Sequence, residues 1–357
     1  MTESRRGTER MVQGETVGQR SVGVLLKRTY LMLPHGRVAL ADEGAQEPLY
    51  DAEVPYERLL PPLVSPVRFG DDGLAFKQHT DVIVQGSGYT YHSRVIETQV
   101  SVRFGAVKRE IRVVGDRLGE WGPDGPAFSE PAPFLSLPIR YDYAYGGLDV
   151  TALEREGRPL FDPEETLAWM TPYHYPRNPG GKGYLLDLDR RSFEGLQIPN
   201  LEYLDDHLTP RRLATSPPGA WRDAPLPAAM DWQPSYCFPR RAKLVLAPDP
   251  EEPHLEFAQA ASPGFTVPSL RLDDEIELVN LHPSSPVIRC SLPAEAPHVL
   301  LSMAGKQVPL QPRLNTVVLR PGLREIVVVW LASAPVDRLY PPDILEHLPR
   351  SVSFRRA

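Results

Sequence analysis

The chain has 357 residues, of which 41% are hydrophobic and 24% are charged, a composition that indicates a compact folded protein with little disorder. Its formal net charge of −7 disfavours nonspecific binding to nucleic acid or to an anionic membrane. The two cysteines, Cys237 and Cys290, are too few for a disulfide scaffold or a cysteine-rich metal site, and they fit a reducing compartment.

Residues 1–20 contain basic side chains but no apolar stretch of the roughly 7–15 residues that a secretory signal requires. We therefore predict a disordered lead over this segment and a cytoplasmic location. Because no later segment offers about 18 uninterrupted apolar residues, we expect no insertion into a membrane.

Residues 21–150 predict an antiparallel β lobe. The 40 prolines of the chain exclude long helices from most of it, and short β-branched and aromatic runs alternate between the prolines. Residues 22–33 and 38–41, joined by the tripeptide PHG, predict one hairpin. Residues 96–104 and 106–114, separated by a single glycine, predict a second hairpin.

Residues 151–262 predict a loop-rich insert, because prolines and glycines are dense there and strand-length alternation is rare. This insert carries the motifs NPGGKGY (178–184) and IPN (198–200). Its best helical segment is DPEETLAWM (162–170), in which Asp162 can cap the helix and Pro163 suits the first turn.

Strand patterns return over residues 263–335, which predict a second β lobe. Residues 336–357 predict a short helix in PPDILEHLPR followed by a tail. The expected fold class is mainly β: an antiparallel β-sandwich or barrel-like sheets with long irregular Pro/Gly-rich loops and a few short helices.

The catalytic motifs in the sequence are incomplete. NPGGKGY is similar to a phosphate-binding loop, but Pro176 stands where that loop requires glycine, and Gly183 stands where it requires serine or threonine. QGSGY (85–89) lacks the spacing of a nucleophile elbow around Ser87, and the nine histidines have no zinc-binding spacing. We predict no catalytic residue, no cofactor and no metal.

Three carboxylates, Glu202, Asp205 and Asp206, follow the IPN motif and leave an alternative open. A pair of carboxylates can serve as the acid and base of a glycosidase. The competing interpretation is a solvated turn in which one of these side chains caps the following segment.

Several segments together resemble a bacterial family, the domain of unknown function 2169 family. The most specific are PFLSLPIRYDYAYGG (133–147), RNPGGKGY (177–184) and FEGLQIPNLEY (193–203), and the resemblance covers residues 20–335. The positions that match the family motifs are Tyr145, Gly146, Gly147, Asn178, Pro179, Gly181, Lys182, Gly183, Tyr184, Pro199, Asn200 and Glu202.

The resemblance implies a function. Members of that family are encoded beside type VI secretion spike proteins and toxins, which implies an effector adaptor or chaperone that binds a toxin and helps to load it onto the spike protein. No catalytic activity is implied, and we expect no nucleic-acid partner. The alternative is a β-rich carbohydrate-active hydrolase or a carbohydrate-binding module.

The matched residues allow two roles. Glycines permit tight turns and a close approach between backbones, and asparagines can hydrogen-bond peptide groups from inside a loop. Such loops could only hold the fold, or they could form a shaped surface that contacts a partner. The same two roles are open for four aromatic residues in the proline-rich stretch after the motifs, namely Trp221, Trp232, Tyr236 and Phe238.

Overall fold

The computed structural model describes residues 5–6, 8–16, 19–56, 65–73, 75–157, 173–214, 224–234, 258–268 and 270–356. Strands predominate in these ranges. They are β1 (Arg5–Arg6), β2 (Glu9–Thr16), β3 (Gln19–Met32), β4 (Val38–Leu40), β5 (Leu49–Tyr50), β6 (Val54–Pro55), β7 (Val67–Phe69), β8 (Thr80–Val84), β9 (Ser87–Tyr89), β10 (Glu97–Phe104), β11 (Val107–Val114), β12 (Gly119–Gly122), β13 (Gly125–Phe128), β14 (Ser136–Pro138), β15 (Tyr145–Gly146), β16 (Lys182–Gly183), β17 (Leu201–Tyr203), β18 (Thr266–Val267), β19 (Glu275–Val279), β20 (Val287–Ser291), β21 (Glu295–Met303), β22 (Lys306–Arg320), β23 (Glu325–Pro335) and β24 (Arg350–Arg356).

The helices of the described ranges are short, and several begin at a proline, which suits the first turn. The α-helices are α1 (Val150–Arg155), α2 (Arg190–Phe193), α3 (Pro210–Leu213) and α4 (Pro342–Glu346). Single 3-10 turns occur at Pro34–Gly36, Glu43–Ala45, Tyr141–Tyr143 and Pro321–Leu323. None of these described helices has the length and apolar character needed to cross a membrane.

The larger sheet has the strand order β18–β8–β22–β23–β3–β2, and β4 pairs with the outer part of β3. The long strand β22 has two sets of partners: Lys306–Leu310 pairs with β21, which in turn pairs with β24, and Thr316–Leu319 pairs in parallel with β8. The register against β23 shifts between Leu314 and Thr316, so a bulge separates the two halves of β22.

The second sheet has the order β17–β11–β10–β19–β20 and is antiparallel throughout. Its valines and isoleucines alternate along the strands, so one face is apolar. Val100 and Ile111 on that face belong to the same hydrophobic core as Val82 and Val318 of the larger sheet. The two sheets therefore enclose one core as a sandwich, and neither closes into a barrel among the described residues. The predicted mainly β fold class is confirmed.

Local predictions agree with the structure. The PHG tripeptide joins β3 to β4, and Gly105, with φ of +53°, joins β10 to β11. The helix predicted in PPDILEHLPR is α4. The helix predicted at residues 162–170 lies outside the described residues.

The predicted division into lobes differs from the observed pairing. Residues 21–150 and 263–335 were expected to form separate lobes, yet β3 pairs with β23, β8 with β22, and β10 with β19. The lead predicted to be disordered over residues 1–20 contains β2, which pairs with β3, and the expected tail contains β24. The pairings between residues 21–150 and residues 263–335 join segments far apart in sequence, which local alternation does not specify.

Candidate functional site

The family-motif residues come together in what we call the motif loops, residues 141–147, 175–184 and 197–202. Strands β15 and β16 pair in parallel, with Tyr145 opposite Lys182 and Gly146 opposite Gly183. The N–H of Lys182 donates to Ala144 O (3.0 Å), and the N–H of Tyr184 donates to Gly146 O (2.9 Å). Two distant pieces of chain are thus held together by backbone hydrogen bonds.

Two glycines allow this close approach. Gly147 has φ of +97°, and a Cβ there would lie 2.5 Å from the carbonyl oxygen of Gly181. Gly183 has φ of +90°, and a Cβ there would lie 2.7 Å from Cδ of Pro199. Both positions require a left-handed backbone and have no room for a side chain. Glycine is the residue that meets both requirements.

Asn178 links these loops from a fully buried position. Its Nδ2 donates to Tyr141 O (2.8 Å) and Tyr145 O (2.9 Å), and its own carbonyl accepts from the N–H of Gly147 (2.8 Å). Pro179 follows it in the turn that leads to Gly181. Because buried carbonyls are costly without a donor, Asn178 stabilises the turn that carries the NPGGKGY motif.

Asn200 does the same for the hairpin of the second sheet. Its Nδ2 donates to Val114 O (2.8 Å) and to Asp116 Oδ1 (3.0 Å), and its N–H donates to Tyr143 O (2.9 Å). The IPN motif therefore joins the end of β11 to the first of the motif loops.

Glu202 lies on β17 with its carboxylate enclosed by cations. Oε1 accepts from Arg117 Nη2 (2.6 Å), while Oε2 accepts from Arg112 Nη1 (2.9 Å) and lies 3.2 Å from Nδ1 of His207. Burial opposes the charge of Arg112, but its hydrogen bond to Glu97 and the charge of Glu202 raise its pKa above the usual value. Both oxygens of Glu202 are thus engaged within the protein.

The other two carboxylates of the glycosidase alternative are exposed. Asp206 forms an ion pair with Arg212, with Oδ2 and Nη2 2.7 Å apart, and Asp205 lies in the turn after β17. Asp206 and Glu202 do line one cleft of about 230 Å³. The structure therefore places Glu202 and Asp206 around the same cleft.

Tyrosine rings line that cleft, which sequence reasoning missed. The hydroxyls of Tyr145, Tyr175 and Tyr203 are already occupied by backbone carbonyls, those of Leu213 (2.9 Å), Pro225 (2.6 Å) and Leu226 (3.2 Å) respectively. Burial raises the pKa of Tyr175 and of Tyr203 above the usual value. The NPGGKGY motif was the one sequence signal for these rings. Its Tyr184 donates a backbone hydrogen bond to Gly146, the residue that follows Tyr145.

Lys182 is half-buried, with its Nζ 5.0 Å from the centre of the Tyr143 ring. Burial lowers its pKa, opposed by the charges of Asp116 and Asp142. A desolvated ammonium group over an aromatic face is stabilised by the ring quadrupole, so this motif lysine has a partner within the motif loops.

Three large apolar side chains near the motif loops are exposed to solvent, and we call them together the apolar patch. They are Ile96, Leu118 and Leu135, which are 38%, 48% and 61% exposed. Backbone hydrogen bonds join their segments: Gly115 N–H to Ile96 O (2.8 Å), Ala132 N–H to Asp116 O (2.9 Å) and Phe134 N–H to Val95 O (3.1 Å). Leu118 directly follows Arg117, the residue that holds Glu202.

Two other residues singled out from the sequence, Ser87 and Trp232, lie in structural positions. Ser87 begins β9, which pairs with β14. Trp232 is half-buried, and its ring fills the space where a Cβ on Gly70 would lie. Trp221, Tyr236 and Phe238 lie outside the described residues. Within those described ranges, no group of three or more His, Cys, Asp or Glu side chains could hold a metal ion.

The fold and the motif loops define a class of protein: an open β-sandwich whose characteristic glycines and asparagines join irregular loops through backbone contacts. The sequence model of the family described as an uncharacterized protein conserved in bacteria (DUF2169) matches residues 17–331. The chain belongs to this family. No curated protein and no solved structure matches it.

Proposed function

We propose that the chain is an adaptor of a bacterial type VI secretion system, which binds a toxin and helps to load it onto the spike protein. The proposal begins with the likeness of its motifs to the family for which that role is expected. It is supported by the use of the motif residues, because Asn178, Asn200 and Glu202 all make contacts inside the protein. Residues so engaged shape a surface and leave binding to their exposed neighbours.

The apolar patch is the observation that carries the proposal. Exposed leucines and isoleucines are the side chains that a protein partner can bury, and these three lie on segments that backbone hydrogen bonds join to one another. A surface fixed in this way loses little conformational entropy when a partner binds. The toxin would bury the patch, and its affinity would depend mainly on these few side chains.

Co-expression with the toxin encoded beside the gene tests the proposal. We expect the chain to raise the amount of soluble toxin and to copurify with it. A double variant, Leu118→Asp with Leu135→Asp, should weaken binding by about 100-fold, since each buried contact is replaced by a charge. Leu40→Asp is the matched control, because Leu40 is 49% exposed on β4. Unchanged toxin solubility with no copurification would contradict the proposal.

One feature favours the alternative of a carbohydrate-binding module or hydrolase. The tyrosine-lined cleft presents aromatic rings beside Glu202 and Asp206, a combination that suits sugars. The engagement of both Glu202 oxygens by arginines weighs against an acid or nucleophile at that position. A glycan screen separates the two roles, because the adaptor should bind no glycan.

A further inference from the structure

A cleft of about 810 Å³ lies away from the motif loops, between the bulged part of β22 and the segments around β18, β20 and β21. Its walls are largely apolar, with Leu270, Leu272, Leu314 and Trp330 among them. Leu314 and Trp330 face each other across β22 and β23. A cleft of this size can hold several apolar side chains.

Arg313 lines this cleft without a carboxylate partner. It is half-buried, and its Nη2 donates to the carbonyl oxygen of Lys77. Burial lowers its pKa, and no carboxylate among the described residues offsets that effect. A guanidinium group withdrawn from water without an anion is unfavourable, so the site gains when a carboxylate arrives.

The other charges of the cleft are already balanced. Arg271 and Asp273 both line it, and they pair with each other, with Nη2 and Oδ2 2.9 Å apart. Arg313 therefore leaves the cleft with one positive charge in excess. Polar groups at Gln78, Thr80 and Ser291 also line it. Peptide amides can use these groups, whereas an alkyl chain cannot.

We propose that this cleft binds a peptide segment with apolar side chains and one carboxylate, which pairs with Arg313. This second site goes beyond the proposed function, because it lies on different residues from the apolar patch and does not require a secretion toxin as the source of the peptide. Charge complementarity selects the carboxylate, and the apolar walls select its neighbours.

Fluorescence anisotropy with a pooled hexapeptide library tests the proposal. The library has randomised apolar positions and is prepared with either a free carboxylate or an amide at its end. We expect the full chain to bind the acid form about 10- to 100-fold more tightly than the amide form. Arg313→Gln should abolish that preference, and Arg313→Lys should retain most of it. Arg190→Gln, which changes an exposed arginine outside this cleft that pairs with Glu194, should leave the preference unchanged.

Three outcomes would overturn the pairing of a ligand carboxylate with Arg313. They are equal binding of acid and amide by the unmodified chain, no binding of either form, and an acid preference that survives Arg313→Gln. Decanoate is added as a competitor; if it displaces the acid peptides and binds more tightly, the ligand is an amphiphile and the assignment to a peptide is wrong. Circular dichroism of each variant ensures that a lost preference reflects the site and not unfolding.

Discussion

Asp231 provides the sharpest test of the buried electrostatics. Its side chain is 2% exposed; Oδ1 accepts from the N–H of Trp232 at 2.7 Å, and Oδ2 has no hydrogen-bond partner among the described residues. Burial raises the pKa of this carboxyl from its usual 3.8 to about 7, although the N–H of Trp232, the nearby side chain of Gln85 and the charge of Arg140 favour the charged form. Asp231 is therefore protonated in the folded chain at mildly acidic pH.

This shift links folding to pH. Between pH 3.8 and about 7 the folded chain holds a proton that the unfolded chain has released. The stability that the neutral carboxyl contributes is complete below pH 3.8 and is lost as the pH rises to about 7. The loss is about 1.4 kcal/mol for each pH unit, which gives about 3 kcal/mol between pH 5 and pH 8.

Asp231→Asn should remove this dependence, because the amide does not titrate and its nitrogen can occupy the place of Oδ2. Urea unfolding at pH 5 and pH 8 measures the effect. The difference in free energy of unfolding, variant minus unmodified chain, should therefore be about 3 kcal/mol larger at pH 8 than at pH 5. Asp231→Ala should show the same pH dependence as Asp231→Asn, but its free energy of unfolding should be lower than that of Asp231→Asn at both pH values. Parallel pH dependence of Asp231→Asn and the unmodified chain would refute the reasoning.

Two further predictions concern the motif loops, and urea unfolding measures both. Gly147→Ala should destabilise the fold by about 3 kcal/mol or more, because the new Cβ would clash with Gly181 O. The control, Gly157→Ala, is also at positive φ but has open space around it, and it should cost only about 1 kcal/mol. Equal losses would contradict the close-approach argument. Glu202→Gln should cost about 3 kcal/mol because it leaves the buried guanidinium group of Arg117 without its carboxylate, against less than about 1 kcal/mol for Asp206→Asn in an exposed pair. A small effect at both positions would count against a structural role for Glu202.

The sequence predicted what depends on neighbouring residues. The hairpin around Gly105 followed from alternation on both sides of one glycine, and α4 followed from an apolar turn between prolines. Pairing partners did not follow, because β23 is a nearly continuous apolar run that is buried along most of its length and would suit many neighbouring strands. The parallel contact of β8 with β22 depends on the enclosed core and not on local pattern. The strand within the predicted disordered lead is a different case, because β2 pairs with β3, its neighbour in sequence.

The site was predictable to a similar depth. The motif resemblance selected residues that do meet in space, including Gly147, Asn178 and Asn200, although their spacing in sequence gave no distances. Arg117 and the tyrosine-lined cleft were missed, since a buried arginine and its carboxylate can be 85 positions apart in the chain. Ion pairs of this kind depend on tertiary packing, which one sequence does not reveal.

The separation between motif and surface explains how one family could serve different partners. Asn178 and Asn200 bond to backbone carbonyls, and backbone carbonyls are present whatever side chains surround them. Side chains of the apolar patch make no such contacts, so they can change without disturbing the loops that display them. If partner choice depends on Leu118 and Leu135, then the motif preserves the geometry of the display while the exposed residues determine what binds. A family motif built in this way identifies the fold more strongly than it identifies the partner.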